Sequence, residues 1–154
     1  MNLYALLLII HIVAGTICLL CGALAASFRK RKGAHTVSGE IYHASYVVVF
    51  VTAVAMALMK WSELAFLFYI ALFSYGLALY GYLARKRLWP NWLQHHIGGM
   101  LGSYIGVITA VLVVNGHTVS AETGIPNLLL WFLPTIIGTP IIRMVSARYY
   151  RRGR

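Results

Sequence analysis

Acidic side chains are nearly missing from this sequence. Its 154 residues contain Glu40, Glu63 and Glu122 and no aspartate at all. That excludes a paired-aspartate protease and most carboxylate-rich magnesium sites. Charge of either sign is scarce, at 10% of residues against 60% hydrophobic, and the mean hydropathy is +0.77. A soluble domain of this size needs a polar surface that this composition cannot supply. The chain has no G-x-x-x-x-G-K-[ST] and no H-E-x-x-H, so neither a phosphate-cradling loop nor the helical zinc-protease pair is encoded. Cysteine is limited to Cys18 and Cys21. Their C-x-x-C spacing has no partner pair elsewhere and lies in an apolar run, which favours packing over zinc or redox work.

What remains is apolar sequence in long runs. The expected class is all-α: one integral membrane domain over residues 1–154, a polytopic bundle of five transmembrane helices. The runs cover about 3–28, 39–59, 64–83, 93–114 and 128–146, each near the roughly 20 residues a span requires. Pro134 and Pro140 interrupt the last run, so four spans and a re-entrant fifth segment are the alternative. The first run could be mistaken for a signal peptide ending at Ala25-Ala26-Ser27. It lacks a basic leading region and is too long, and its charges follow it instead, as in an uncleaved first helix.

The net charge of +10 would suggest nucleic acid in a soluble protein. Here the thirteen basic residues fall mostly into short clusters beside the runs. Loops after runs one, three and five collect Arg29, Lys30, Arg31, Lys32, Arg85, Lys86, Arg87, Arg143, Arg148, Arg151, Arg152 and Arg154; the other side has only Lys60. The positive-inside rule then places the N-terminus outside and the C-terminus in the cytoplasm of a cell membrane. The expected partners are the bilayer and its anionic headgroups at the basic loops, with no nucleic acid. Trp61, Trp89, Trp92, Tyr149 and Tyr150 sit at run ends, as an interfacial aromatic belt requires. Two stripes of small residues, Gly98-Gly102-Gly106 and Ala14-Cys18-Gly22-Ala26, have the spacing of helix-packing faces.

Histidine is the distinctive polar residue. His117 lies in a polar outer loop. The other five lie in or beside hydrocarbon, where ionisable groups are costly unless they face a partner or a cavity. His35, Gly39, Tyr42 and Tyr46 share a helical face bordered by His43, and His96, Gly99, Met100, Ser103 and Tyr104 share another. Imidazoles at one depth on two helices suit a haem or a zinc, copper or iron ion near the cytoplasmic face. Candidate cofactor-binding residues are therefore His35, His43, His96, Met100 and Tyr104, and candidate metal ligands His11, His35, His43 and His96. The competing reading has each histidine cap a helix end or bond a neighbouring carbonyl. His11 lies roughly 20 Å from the cytoplasmic end of its helix, and so serves an outer site or bonds across the bundle. Glu40, three residues before His43, is either its orienting carboxylate or a solvated acid at a helix start.

The same residues resemble a family of bacterial membrane proteins of unknown function. The likeness rests on His11 with Gly15, on H-x-x-x-G-x-x-Y at His35, Gly39 and Tyr42, and on H-x-x-x-M-x-x-S-Y at His96, Met100, Ser103 and Tyr104. It covers the first four runs in order and implies that His11, His35 and His96 are the family's histidines. Leu101 and Gly102 stand where basic residues are expected, which argues against anion binding there. No reaction is implied. The leading expectation is a membrane cofactor protein for electron transfer or metal handling. The alternatives are a proton-coupled small-molecule transporter, which would need a homodimer to enclose a path, and a non-catalytic assembly subunit.

Overall fold

The computed structural model describes residues 2–28 and 33–151. The basic cluster Arg29-Lys30-Arg31-Lys32 and the terminal Arg152 and Arg154 lie outside the described residues. The described chain is all-helical: α1 (Leu3–Ser27), α2 (Ala34–Met59), α3 (Trp61–Lys86), α4 (Trp92–Val114), α5 (Gly116–Thr123) and α6 (Asn127–Arg151). Five of them, α5 excepted, are long and apolar enough to cross a membrane. In hydrocarbon a helix satisfies its backbone polar groups internally, so each apolar run becomes one continuous helix. Leu3, Ile9, Ile12, Val13 and Leu20 of α1 are each more than half exposed, a surface stable against lipid and not against water. The chain is a multi-pass membrane protein.

Local sequence sets the helix ends. The Asn2 side chain accepts the Ala5 N–H at 2.8 Å and caps α1. Leu88 and Asn91 adopt positive φ, 48° and 55°, and with Pro90 they make the turn between α3 and α4. Gly124, at φ 72°, closes α5 in the left-handed conformation that favours glycine.

Three boundaries differ from expectation. Helix α2 starts at Ala34, about five residues before the apolar run does, so His35 stands in its first turn. The segment after α4 forms the short helix α5, which its polar composition did not announce. The final segment is one helix through Arg151 with Pro134 and Pro140 inside it, which removes any need for a re-entrant element.

The chain divides at Tyr75/Gly76 into two compact units. In the first, α1 and α2 form an antiparallel pair. Cys18, fully buried, lies 3.9 Å from the Tyr42 carbonyl. Tyr75 of α3 stacks on Phe50 at 4.6 Å and meets Tyr46 edge-on at 5.8 Å. Tyr42 and Tyr46 are 2% and 3% exposed, so the phenol face read on α2 points into this unit. The expected small-residue stripe on α1 is followed in part: Ala14 and Cys18 are buried, while Ala26 is exposed.

In the second unit α4 packs on α6, with α5 against both, and the end of α3 meets α4 through glycine. A Cβ placed on Gly99 would come within 2.6 Å of Gly81 Cα and N and 2.7 Å of the Leu77 carbonyl oxygen. The backbones therefore touch where neither residue has a side chain. This corrects the expected stripe. Gly98 faces open space and Gly102 meets only the end of Leu77, whereas the buried stripe of α4 is Gly99, Ser103 and Val107.

Candidate functional site

His35 is placed by the ends of two helices. Helix α1 stops at Ser27, so the Ala25 carbonyl lies in its last turn. The early start of α2 brings His35 beside it, and His35 Nδ1 lies 2.8 Å from the Ala25 oxygen. A carbonyl can only accept, so Nδ1 must carry the proton. Nε2 is then the basic nitrogen, because a neutral imidazole has one donor and one acceptor.

His96 repeats the arrangement in the second unit. Its Nδ1 donates to the Gly81 carbonyl oxygen at 2.9 Å, and here too Nε2 is the basic atom. The Gly81–Gly99 contact makes this bond short enough, since a side chain at either glycine would separate the helices that carry the two partners. Ser103, fully buried one turn beyond Gly99, donates its hydroxyl to the Met100 carbonyl at 2.8 Å. Met100 and Tyr104 are half-buried on the same helix.

His11 bonds to a side chain. Its Nδ1 lies 2.9 Å from Thr52 Oγ1. That hydroxyl also lies 2.7 and 3.0 Å from the carbonyls of Val48 and Val49. A hydroxyl can accept from the ring or donate to it, so this contact does not fix the His11 tautomer. Three histidines on three helices thus turn Nδ1 to an oxygen, and His35 and His96, which face carbonyls, share the tautomer with Nδ1–H anchored and Nε2 basic.

The remaining histidines differ. His43 is half-buried and stacks on Tyr75 with ring centres 6.0 Å apart. His95 pairs its Nδ1 with the Tyr80 hydroxyl at 2.6 Å, near the basic residues Arg85 and Lys86, which lie over the Trp92 and Tyr82 rings. His117 is exposed on α5, as its polar surroundings suggest. Cys18 and Cys21 are free thiols, and the contact of Cys18 with the Tyr42 carbonyl agrees with a packing role.

Among the described residues no three histidine, cysteine or acidic side chains gather as a group able to hold a metal ion. Sequence reasoning ranked the histidines but missed their anchors, Thr52, Gly81 and the Ala25 carbonyl. A threonine in an apolar run was the one available signal, and a backbone oxygen gives none. No protein family, curated protein or solved structure matches the chain, so the functional reading rests on these residues.

Proposed function

We propose that this chain is a membrane cofactor protein for electron transfer or metal handling, in which His35 in the first unit and His96 in the second are each an Nε2 ligand for a haem or a transition-metal ion. The observation that carries the reading is the anchoring of both Nδ1 atoms on helix carbonyls, at 2.8 and 2.9 Å. Ligating histidines almost always donate the other ring N–H to such an acceptor, which fixes the tautomer and raises the basicity of the ligating nitrogen. A haem needs one or two imidazoles from the protein, which separately anchored histidines can supply. A structural zinc needs four ligands together, so haem is the better-supported cofactor. His43, Met100 and Tyr104 are the accompanying residues.

The charge pattern supports a place in the cell membrane with the N-terminus outside and the C-terminus in the cytoplasm. His35 and His96 both follow basic clusters, 29–32 and 85–87. The ligands then lie toward the cytoplasmic face, where anionic headgroups meet the same clusters.

The test is absorbance and elemental analysis of detergent-purified chain, as isolated and after addition of haemin. A Soret band with stoichiometric haem, or stoichiometric metal, is expected. His35→Ala and His96→Ala should each lower the content with helicity unchanged. A protein that takes up neither, or whose content ignores both substitutions, rules the proposal out.

A further inference from the structure

We propose that the turn between α3 and α4 holds one anionic phospholipid, with Arg85 and Arg87 on its phosphate and the Trp and Tyr rings of the turn at the level of its headgroup. The inference rests on the headgroup contact proposed above and sharpens it from a surface attraction to a single site. It needs no cofactor.

The first argument is charge. Arg85, Lys86 and Arg87 are consecutive and exposed. The second unit has one carboxylate side chain, Glu122, and it lies on α5, beyond the far end of α4. The 23 residues of α4 at 1.5 Å each put about 35 Å between the two ends. Salt screens exposed charges over roughly 8 Å. Glu122 therefore does not neutralise the turn, and its charge is left for an anion from outside the unit.

The second argument is order. The Arg85 guanidinium carbon lies 4.6 Å from the centre of the Trp92 ring, and Lys86 Nζ lies 5.1 Å from that of Tyr82. A cation–π contact holds a cation without giving its N–H groups an oxygen. The guanidinium fork matches a phosphate in shape. Trp92 is half-buried in the first turn of α4, and the helices that carry Arg85 and Trp92 are joined at Gly81 and Gly99. The cation is thus placed before an anion arrives, which lowers the cost of binding.

The third argument separates a lipid from a free phosphate. The charges run directly into Leu88, Trp89 and Pro90. Leu88 is 61% exposed. Trp89 lies 5.6 Å from Tyr80, whose hydroxyl pairs with His95. Trp and Tyr settle at the boundary between headgroups and acyl chains. A soluble phosphate has nothing to offer Leu88, whereas a phospholipid brings phosphate and acyl chain together.

The experiment is native mass spectrometry of the full chain in detergent with phosphatidylglycerol, phosphatidylcholine or glycerol phosphate added. One phosphatidylglycerol per chain should survive at collision energies that strip phosphatidylcholine, and excess glycerol phosphate should not displace it. Arg85→Gln should weaken retention roughly fivefold, the equivalent of about 1 kcal/mol for one basic residue at an anionic surface, and Arg87→Gln should add to the loss. Trp92→Leu keeps every charge but unseats Arg85, so it should weaken retention too, while Trp92→Phe should preserve most of it. The arginine variants decide the matter if Trp92→Leu does not fold. Equal retention of the two phospholipids, displacement by glycerol phosphate, or retention that ignores both arginine substitutions overturns the inference. So does retention that falls with the arginines and is unchanged in a folded Trp92→Leu, which leaves only a general attraction of headgroups to charge. Haem content is measured separately, so failure here leaves the cofactor reading standing, and an absence of haem leaves the lipid site standing.

Discussion

At the scale of single residues, the common feature of His11, His35 and His96 is the ring atom each one commits. All three turn Nδ1 to an oxygen at 2.8 to 2.9 Å, a backbone carbonyl at His35 and His96 and the Thr52 hydroxyl at His11. His95 faces a phenol and His11 a threonine hydroxyl, which can donate or accept, so their tautomers are not dictated as those of His35 and His96 are. The expected outcome in 15N spectra of histidine-labelled protein in detergent, without cofactor, is a protonated Nδ1 and an unprotonated Nε2 at His35 and His96. Tyr80→Phe should move the His95 resonances and leave those of His35 and His96 in place. An Nε2–H tautomer at His35 or His96 would remove the chemical basis for ligation. The sequence showed which histidines lie in or beside the apolar runs, because that needs only the residues around them. It could not show which nitrogen each uses, since two of the three oxygens are backbone carbonyls that every residue type carries.

At the scale of helices, the decisive contact is Gly81 against Gly99. Spacing alone favoured the glycines at 98, 102 and 106, because repeats of four mark a helix face without saying which neighbour covers it. The covered face is one residue further on. The substitutions should therefore separate sharply. Gly99→Ala puts a methyl against backbone atoms, which cannot move aside, and should destabilise the protein by about 1–3 kcal/mol, as overpacking does. Gly98→Ala adds a methyl in open space and should change stability by less than about 0.5 kcal/mol, as surface substitutions do. Thermal or denaturant unfolding in one detergent checks the contrast. In Gly99→Ala the His96 Nδ1 to Gly81 bond should also be lost, with a matching loss of bound haem. Gly138 is intermediate: an added Cβ there meets the Ile105 side chain, which can rotate, so its alanine variant should be tolerated better than that of Gly99. Helix α6 gives a related lesson. Pro134 and Pro140 argued for a broken segment, yet the helix continues through both, as neighbouring groups allow in membrane helices.

At the scale of the whole molecule, five helices long and apolar enough to span fit the composition, and the proposed orientation follows from the basic loops. A reporter on the C-terminus should be protected outside intact cells and become reactive on lysis, while one placed before α1 should react from outside. Replacing Arg29, Lys30, Arg31 and Lys32 with neutral residues should produce a mixed population, since those charges govern the first insertion. A C-terminal reporter labelled in intact cells would refute the orientation. The sequence by itself determined that this is an all-helical membrane protein, where its five apolar helices run within a few residues, and which polar side chains lie in or beside them. These follow from local composition, because a backbone in lipid has few ways to satisfy its hydrogen bonds. Only the tertiary structure decided which helix faces meet and which oxygen each imidazole turns its Nδ1 toward. Those depend on contacts between residues far apart in the chain: Thr52 with His11, Ala25 with His35, and Gly81 with both Gly99 and His96.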